Sequence, residues 1–270
     1  VAIGKQLLIT RGALTTFSFD DAGNNTVVNA DGAATTYTWD GEDRLSAIAL
    51  PTAGVLTLTY DATGLRRKRQ DSSGTTDYLW DLENLLMEFS GGTTEARYTV
   101  GEGAYGPIVS SRRGATSRFL MTDALGSVVG LLDPSEAESD SYIYQAFGDL
   151  AASSGSSVKP FLYVGSLGYY NESDASLSYV RARWFRPSTG SWLSVDPVED
   201  EARYLYVGGR PTTVSDGSGL QPDETLDLAL LPYALPGPPS ANLRGRCTWI
   251  CFKREFLFRA LLSSFFLCVS

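Results

Sequence analysis

Residues 178–197 concentrate the side chains that could do chemistry. They read SYVRARWFRPSTGSWLSVDP and combine Arg181 and Arg183 with four large aromatic residues and with Asp196, which precedes a proline. A carboxylate in such a setting could act as a general acid or base. The structural alternative is that an aspartate before proline or glycine forms a turn, which is its more frequent role.

The two arginines have a structural interpretation of their own. Residues two apart on a strand point to the same face, so Arg181 and Arg183 would lie side by side. Their guanidinium groups would repel each other unless carboxylates neutralise them, and Asp174, Asp196 or Asp216 could do so. We therefore expect a structural ion pair here in preference to direct participation in catalysis.

Histidine is absent from the sequence, which excludes Ser-His-Asp triads, Cys-His dyads and His-ligated metal sites. The three cysteines are Cys247, Cys251 and Cys268, and Cys247-x-x-x-Cys251 lacks the second ligand pair of a zinc site. The first 246 residues contain no cysteine, so the redox compartment stays open. We expect no metal and no cofactor.

Length and charge narrow the class of protein. The chain has 270 residues, enough for one large domain or two small ones, and its hydrophobic content of 43% is sufficient for a sizeable core. Its net charge of -9 disfavours binding to nucleic acids or anionic membranes. The chain begins at Val1 without a signal peptide, so we expect a piece of a longer protein, most simply its C-terminal end.

The N-terminal half contains a repeat. Aromatic or apolar residues alternate with polar ones and are followed by aspartate at positions 20, 40, 61 and 81, which are 20, 21 and 20 residues apart. Weaker copies end at Gly101 and Gln145. A period of two predicts half-buried strands, and the aspartate predicts a turn, so each unit should contain two short strands and two turns. We expect the repeat aromatics to pack in the core rather than to stack on a ligand.

Helical signal is weak and confined to residues 82–89 and to the part of the tail after Lys253. We therefore expect residues 1–220 to be nearly all β, with each unit stacked on the next.

Several ordered motifs resemble the RHS (rearrangement hot spot) or YD-repeat family. The copies YTWD at 37–40 and LTYD at 58–61 are similar to its repeat, and TDALGSVVGLLDPS at 122–135 and YIYQAFGDL at 142–150 are similar to later segments. Residues 178–197 resemble the RHS repeat-associated core, and RYLYVGGRPTTVSDGSGL at 203–220 resembles its end. The resemblance covers residues 17–220 and extends to Tc-toxin C components and the teneurin YD-shell.

The resemblance implies an all-β fold, a strand spiral that forms part of a hollow shell closed by the core. The implied domains are a partial shell at 1–155, the RHS-associated core at 156–220 and a variable, irregular tail at 221–270.

The resemblance also implies a chemistry. In toxin-type members the core is an intramolecular aspartyl protease, which by motif places the catalytic carboxylates at Asp196 and Asp216 and the cut after Leu220. Two neighbouring carboxylates can share a proton, so that one activates water and the other protonates the leaving group. Two positions depart from the motif, Glu199 replacing glycine and Gly217 replacing proline, and the second loosens the approach to the cut.

The tail after Leu220 is rich in proline and leucine and then becomes apolar and basic. Fifty residues are marginal for an independent fold, and the uncharged run at 260–270 is too short to span a bilayer. It could be a degenerate or frame-shifted end, a disordered or partly helical cargo remnant, or a small membrane-active peptide.

Two functions follow as hypotheses. The first is a secreted or cell-surface RHS shell that carries its own C-terminal segment as cargo in a toxin system, with possible self-cleavage after Leu220. The second is a non-enzymatic module that binds a cell-surface carbohydrate or protein partner.

Overall fold

The computed structural model describes residues 6–10, 13–197, 203–220 and 222. These residues all fall within one compact unit, Val1–Leu230. Nineteen strands run in chain order: β1 Gln6–Thr10, β2 Ala13–Phe19, β3 Asn25–Ala30, β4 Ala33–Trp39, β5 Leu45–Leu50, β6 Gly54–Tyr60, β7 Arg66–Asp71, β8 Gly74–Asp81, β9 Asn84–Ser90, β10 Thr93–Val100, β11 Ile108–Arg113, β12 Thr116–Thr122, β13 Val128–Leu132, β14 Glu138–Tyr144, β15 Leu150–Ser154, β16 Tyr170–Glu172, β17 Leu177–Val180, β18 Arg183–Arg186 and β19 Ser191–Trp192.

The strands form two antiparallel sheets. The first contains β1 to β15 in sequence order, so each strand pairs with its neighbours in the chain, and the second contains β16 to β19. Among the described residues, four short 3₁₀ turns follow the large sheet, at Gly165–Leu167, Ser173–Ala175, Pro187–Thr189 and Tyr206–Gly209. The predicted all-β fold is confirmed, and each repeat does contain two strands.

The predicted helix at residues 82–89 is wrong. Leu82 has a φ of 51°, in the left-handed region, and ends the preceding strand in a tight turn. The residues after it form β9, which pairs with β8 and with β10 and buries Leu85 and Glu88. Pairing on both edges outweighs the helical preference of leucine and glutamate. The second predicted helix, after Lys253, lies outside the described residues.

The repeat aspartates form the predicted turns. In the copies at Asp20, Asp40 and Asp61 the carboxylate accepts the backbone N–H four residues on, at 2.8, 3.0 and 3.1 Å. The same turn recurs at Asp123 and Asp133. Each of the five turns has its fourth residue at positive φ, a conformation that glycine adopts without strain. Asp81 differs, because it lies inside β8 and pairs with Asn84.

One face of the large sheet is buried. Its core positions include Tyr37, Leu58 and Tyr78, which pack in one cluster with Tyr179 and Trp184 of the small sheet. The second aromatic of a repeat joins the strands together: the Trp39, Trp80 and Tyr60 side chains donate to backbone carbonyls 14 or 15 residues earlier. The repeat aromatics are therefore packing residues, as predicted.

We call residues 161–197 and 203–220 the core module. It is joined to the large sheet by Arg66, which is fully buried and contacts Glu172 of β16 at 3.0 Å. The Arg66 guanidinium also lies 4.4 Å from the ring centres of Tyr78 and Tyr170 and 4.7 Å from that of Tyr179. Rings from both sheets thus surround one cation, which offsets part of the cost of burying it.

Candidate functional site

The two arginines of the RAR motif belong to a hairpin rather than to one strand. Strands β17 and β18 are joined by a two-residue turn, with Val180 paired to Arg183. Arg181 occupies the first turn position and has a φ of 46°. The expectation that both arginines lie on one strand is therefore wrong. Both are nevertheless buried, with side chains 4% and 3% exposed.

The hairpin holds the end of the core module, residues 216–220, which we call the terminal segment. Three successive carbonyls of this segment are bound. Arg181 Nη1 donates to the Gly217 oxygen at 2.5 Å, the Ala182 N–H donates to the Ser218 oxygen at 3.3 Å, and Arg183 Nε donates to the Gly219 oxygen. The arginines thus fix the backbone immediately before Leu220.

Gly219 allows this close approach. Its φ is 75°, and a Cβ added there would lie 2.2 Å from the Val180 carbonyl oxygen and 3.2 Å from the Arg183 nitrogen. No side chain fits against the hairpin at this position, so the glycine of the D-x-x-G-L motif has a packing role as well as a conformational one.

Arg183 brings the two predicted catalytic residues together. Its Nη1 lies 2.7 Å from Asp196 Oδ2, and its Nη2 lies 3.5 Å from Asp216 Oδ2. The expected ion pair is confirmed for Arg183. Asp174 instead contacts Arg69, at 3.0 Å. The nearest carboxylate to Arg181 is that of Glu83, at 3.6 Å, so this arginine mainly binds backbone carbonyls.

Asp216 also organises the terminal segment locally. Its Oδ1 accepts the Gly219 N–H at 2.8 Å and the Ser218 hydroxyl at 2.9 Å. Its own backbone is held by the Tyr169 hydroxyl, which lies 3.0 Å from the Asp216 nitrogen and 2.8 Å from its carbonyl oxygen. Hydrogen bonds to its carboxylate and to its backbone N–H and carbonyl therefore fix the position of Asp216.

Arg183 dominates the electrostatics of the site. Its guanidinium contacts both Asp196 and Asp216, which offsets part of the cost of burying these charges. Burial lowers the pKa of Arg183, although the two aspartates counteract this effect. An arginine nonetheless stays protonated in proteins, and the described arrangement is one cation between two acids. Glu199 and Gln221 lie outside the described residues.

Sequence reasoning missed Ser218, Gly219 and Tyr169 as members of this site. The D-x-S-G pattern could have indicated the turn around Asp216, because aspartate commonly accepts backbone N–H groups just after it. Nothing in the sequence placed Tyr169, since its contact with Asp216 spans 47 positions.

Other candidate sites are few in the described part of the chain. A cavity of about 570 Å³ lies beside Tyr163 and is lined mostly by apolar and aromatic side chains. Within the described ranges there is no group of three or more Asp, Glu, His or Cys residues that could hold a metal ion. The same ranges contain no helix long and apolar enough to cross a membrane.

No protein-family model matches the chain. Among curated proteins, the tRNA3(Ser)-specific nuclease WapA of Bacillus spizizenii is 30% identical over 215 residues, 75% of this chain. The tRNA nuclease WapA of Bacillus subtilis strain 168 is 29% identical over the same share. The chain spans only 9% of the length of each of these relatives.

Solved structures share the fold. A chain of the TcdB2-TccC3-TEV crystal structure superposes with a TM-score of 0.55 at 17% identity, covering 77% of this chain and 13% of that one. The Photorhabdus luminescens Tc holotoxin pore gives the same TM-score and identity over 80% of this chain and 13% of its own. Together with the WapA similarity, this likeness shows that the chain is a relative of the RHS/YD-repeat proteins, with their antiparallel β-shell architecture.

Proposed function

We propose that this chain is part of an RHS-type shell whose core module cuts the bond after Leu220 and so separates the C-terminal segment from the shell. One observation carries the proposal. Arg183 contacts both Asp196 and Asp216 and also binds the carbonyl of Gly219, the residue before Leu220. One side chain therefore contacts both proposed catalytic carboxylates and the residue that precedes the proposed cut site.

The proposed roles follow from this arrangement. One carboxylate of the pair activates a water molecule, and the other, once protonated, donates to the leaving amine of Gln221. Arg183 positions both acids and the terminal segment. Because catalyst and substrate are one chain, the fixed backbone replaces substrate binding and raises the effective concentration of the reacting bond.

The cargo in this proposal is the chain after Leu220, and the setting is a secreted or cell-surface toxin system. Support comes from the relatives, which are named as tRNA nucleases or belong to a Tc holotoxin. We assign the described residues to the shell and the cut, and we propose no contact between them and nucleic acid.

Intact mass of the purified chain tests the cut. A folded wild-type sample should contain fragments 1–220 and 221–270, and neither fragment should form from Asp196→Asn or from Asp216→Asn. Asp174→Asn is the matched control, because this aspartate of the core module also contacts an arginine, Arg69 of β7, yet is 54% exposed. A wild-type chain that stays whole while folded would contradict the proposal.

The second hypothesis, a module that binds carbohydrate or a protein partner, draws no support from the repeat aromatics. Phe17, Tyr37, Tyr78 and Tyr98 are buried and cannot stack on a ligand. A glycan array that gave strong, saturable binding to the folded chain would favour it over the shell function.

A further inference from the structure

Ser218 has the surroundings of a nucleophile. Its hydroxyl donates to Asp216 Oδ1 at 2.9 Å and accepts the Leu220 N–H at 3.0 Å. The first contact offers a carboxylate as general base, and the second orients the oxygen. The same carboxylate oxygen accepts the Gly219 N–H, so its position is fixed relative to the hydroxyl.

The carbonyl next to this hydroxyl is bound by a buried cation. The Gly217 oxygen accepts from Arg181 Nη1 at 2.5 Å, and the Arg181 side chain is only 4% exposed. Arg181 is held in turn by the backbone carbonyls of Leu167 and Glu83, at 3.0 and 2.7 Å. A fixed guanidinium at a carbonyl oxygen, shielded from water, is the arrangement that stabilises the oxyanion formed when that carbonyl is attacked.

We propose that the chain has a second self-cleavage activity, at the Gly217–Ser218 bond, through an N-to-O acyl shift in which Ser218 is the nucleophile, Asp216 the base and Arg181 the oxyanion-stabilising group. The proposal does not require the cut after Leu220, although it shares Asp216 with it. Gly217, which replaces the proline of the motif, leaves the attacked carbonyl without a neighbouring ring or side chain.

The acyl shift begins with attack by the Ser218 hydroxyl. The Ser218 oxygen bonds to the Gly217 carbonyl carbon, closing a five-membered ring, while its proton passes to the Asp216 carboxylate and the carbonyl oxygen becomes an oxyanion on Arg181. The C–N bond then breaks, and Asp216 returns the proton to the Ser218 nitrogen, which leaves an ester and a free amine. Water hydrolyses the ester, giving a Gly217 carboxylate and restoring the Ser218 hydroxyl.

The chain contains a matched internal control. Residues 71–74 repeat the D-x-S-G pattern, with the Ser73 hydroxyl 2.5 Å from Asp71 Oδ1 and the Gly74 N–H 3.1 Å from it. In the part of the chain that is described, no arginine binds the carbonyl of Ser72, and Ser73 is exposed. If the local turn alone were sufficient, both sites would react, whereas the proposal requires reaction only at Ser218.

Intact mass again provides the test, because the two cuts differ by three residues. The proposal predicts fragments 1–217 and 218–270, and incubation with hydroxylamine should trap the ester as a Gly217 hydroxamate. Ser218→Ala should abolish these products and Ser218→Cys should keep them, whereas Ser73→Ala should change nothing. Arg181→Gln should slow the reaction by about a hundredfold, the usual effect of losing one oxyanion donor.

Different variants distinguish the two proposed cuts. Asp196→Asn should remove the cut after Leu220 and keep the 1–217 fragment and the hydroxamate, whereas Ser218→Ala should remove both of these products. Near-ultraviolet circular dichroism confirms that each variant is folded. A folded chain that yields no 1–217 fragment and no hydroxamate would overturn the acyl shift whether or not the cut after Leu220 occurs, and a cut at Ser73 would overturn the role of Arg181.

Discussion

The large sheet and the core module are built on different kinds of contact. In the large sheet every strand pairs with strands adjacent in sequence, and five of its described turns are closed by an aspartate that accepts an N–H from its own turn. In the core module, the contacts between the hairpin and the terminal segment span 36 positions, as when Arg181 binds the Gly217 carbonyl. The two regions nevertheless share one buried cluster.

Because of this difference, we expect the two regions to tolerate substitutions unequally. A repeat that closes locally can lose one turn and keep the next, because each unit contacts mainly its neighbours. The terminal segment has no such redundancy, since three buried carbonyls depend on two arginines and one backbone N–H. We therefore expect substitutions in the core module to be costly and equivalent ones in the repeats to be mild.

The largest effect is expected at Arg183. Arg183→Met leaves the carboxylates of Asp196 and Asp216 without their shared cation, which for a buried charge cluster costs about 3–5 kcal/mol in the free energy of unfolding. Urea unfolding measures the loss. Arg112→Met, an exposed arginine of β11, is the control and should change stability by less than about 0.5 kcal/mol. Equal losses for both would remove the distinction between the regions.

A pair of glycine substitutions sharpens the comparison. Gly64 and Gly219 have similar φ values, 88° and 75°, but a Cβ meets nothing within 4 Å at Gly64 and meets backbone atoms at Gly219. Gly64→Ala should cost only the left-handed conformation, about 1 kcal/mol, whereas Gly219→Ala adds overpacking and should cost about 3 kcal/mol in total. Thermal unfolding of the two variants in parallel checks the difference, and similar melting temperatures would contradict it.

An acid titration tests Asp71 of β7. This aspartate contacts Arg69, which also contacts Asp174 of the core module. Burial opposes ionisation of Asp71, but hydrogen bonds from Ser73 and Arg69 outweigh it and lower the pKa of Asp71 to about 2. A depressed pKa contributes stability above the unfolded value, near 4, that is lost as the pH falls toward 2. Asp71→Asn should therefore cost about 2 kcal/mol at pH 7 and progressively less below pH 4, as followed by urea unfolding across that range. A loss that is independent of pH would contradict this origin.

The smallest effect is expected from one repeat turn. Asp61→Ala removes a carboxylate that accepts the N–H groups of Thr63 and Leu65, at 2.9 and 3.1 Å, on the exposed rim of the sheet. We expect a loss of about 1 kcal/mol, typical of a side chain that caps a few backbone groups. Amide hydrogen exchange should show faster exchange confined to β6, β7 and their turn. A loss of protection throughout the core module would mean that the regions are coupled more tightly than their contacts indicate.

Much of the repeat region was predictable because its determinants are local. The aspartates at 20, 40 and 61 formed the expected turns, and alternation correctly predicted which aromatics are buried. The helix predicted at residues 82–89 failed because that prediction weighed leucine and glutamate preferences alone. Strand partners on both sides decided the outcome there.

The candidate site was predictable only in part. Motif similarity pointed to Asp196 and Asp216, and both meet at Arg183. Their roles in catalysis stay predictions. The placement of Ser218 against Asp216 and of Arg181 on the Gly217 carbonyl was not foreseen, because the second contact depends on a turn that reverses the chain at Arg181.

Strand periodicity, the repeat turns and the buried face follow from the amino-acid sequence, since each depends on residues within one repeat. Which side chains meet in the core module depends instead on tertiary contacts. Arg181, Arg183 and the terminal segment are brought together by backbone reversal and by the packing of the small sheet on the large one. Such contacts join residues far apart in the chain, and no local pattern specifies them.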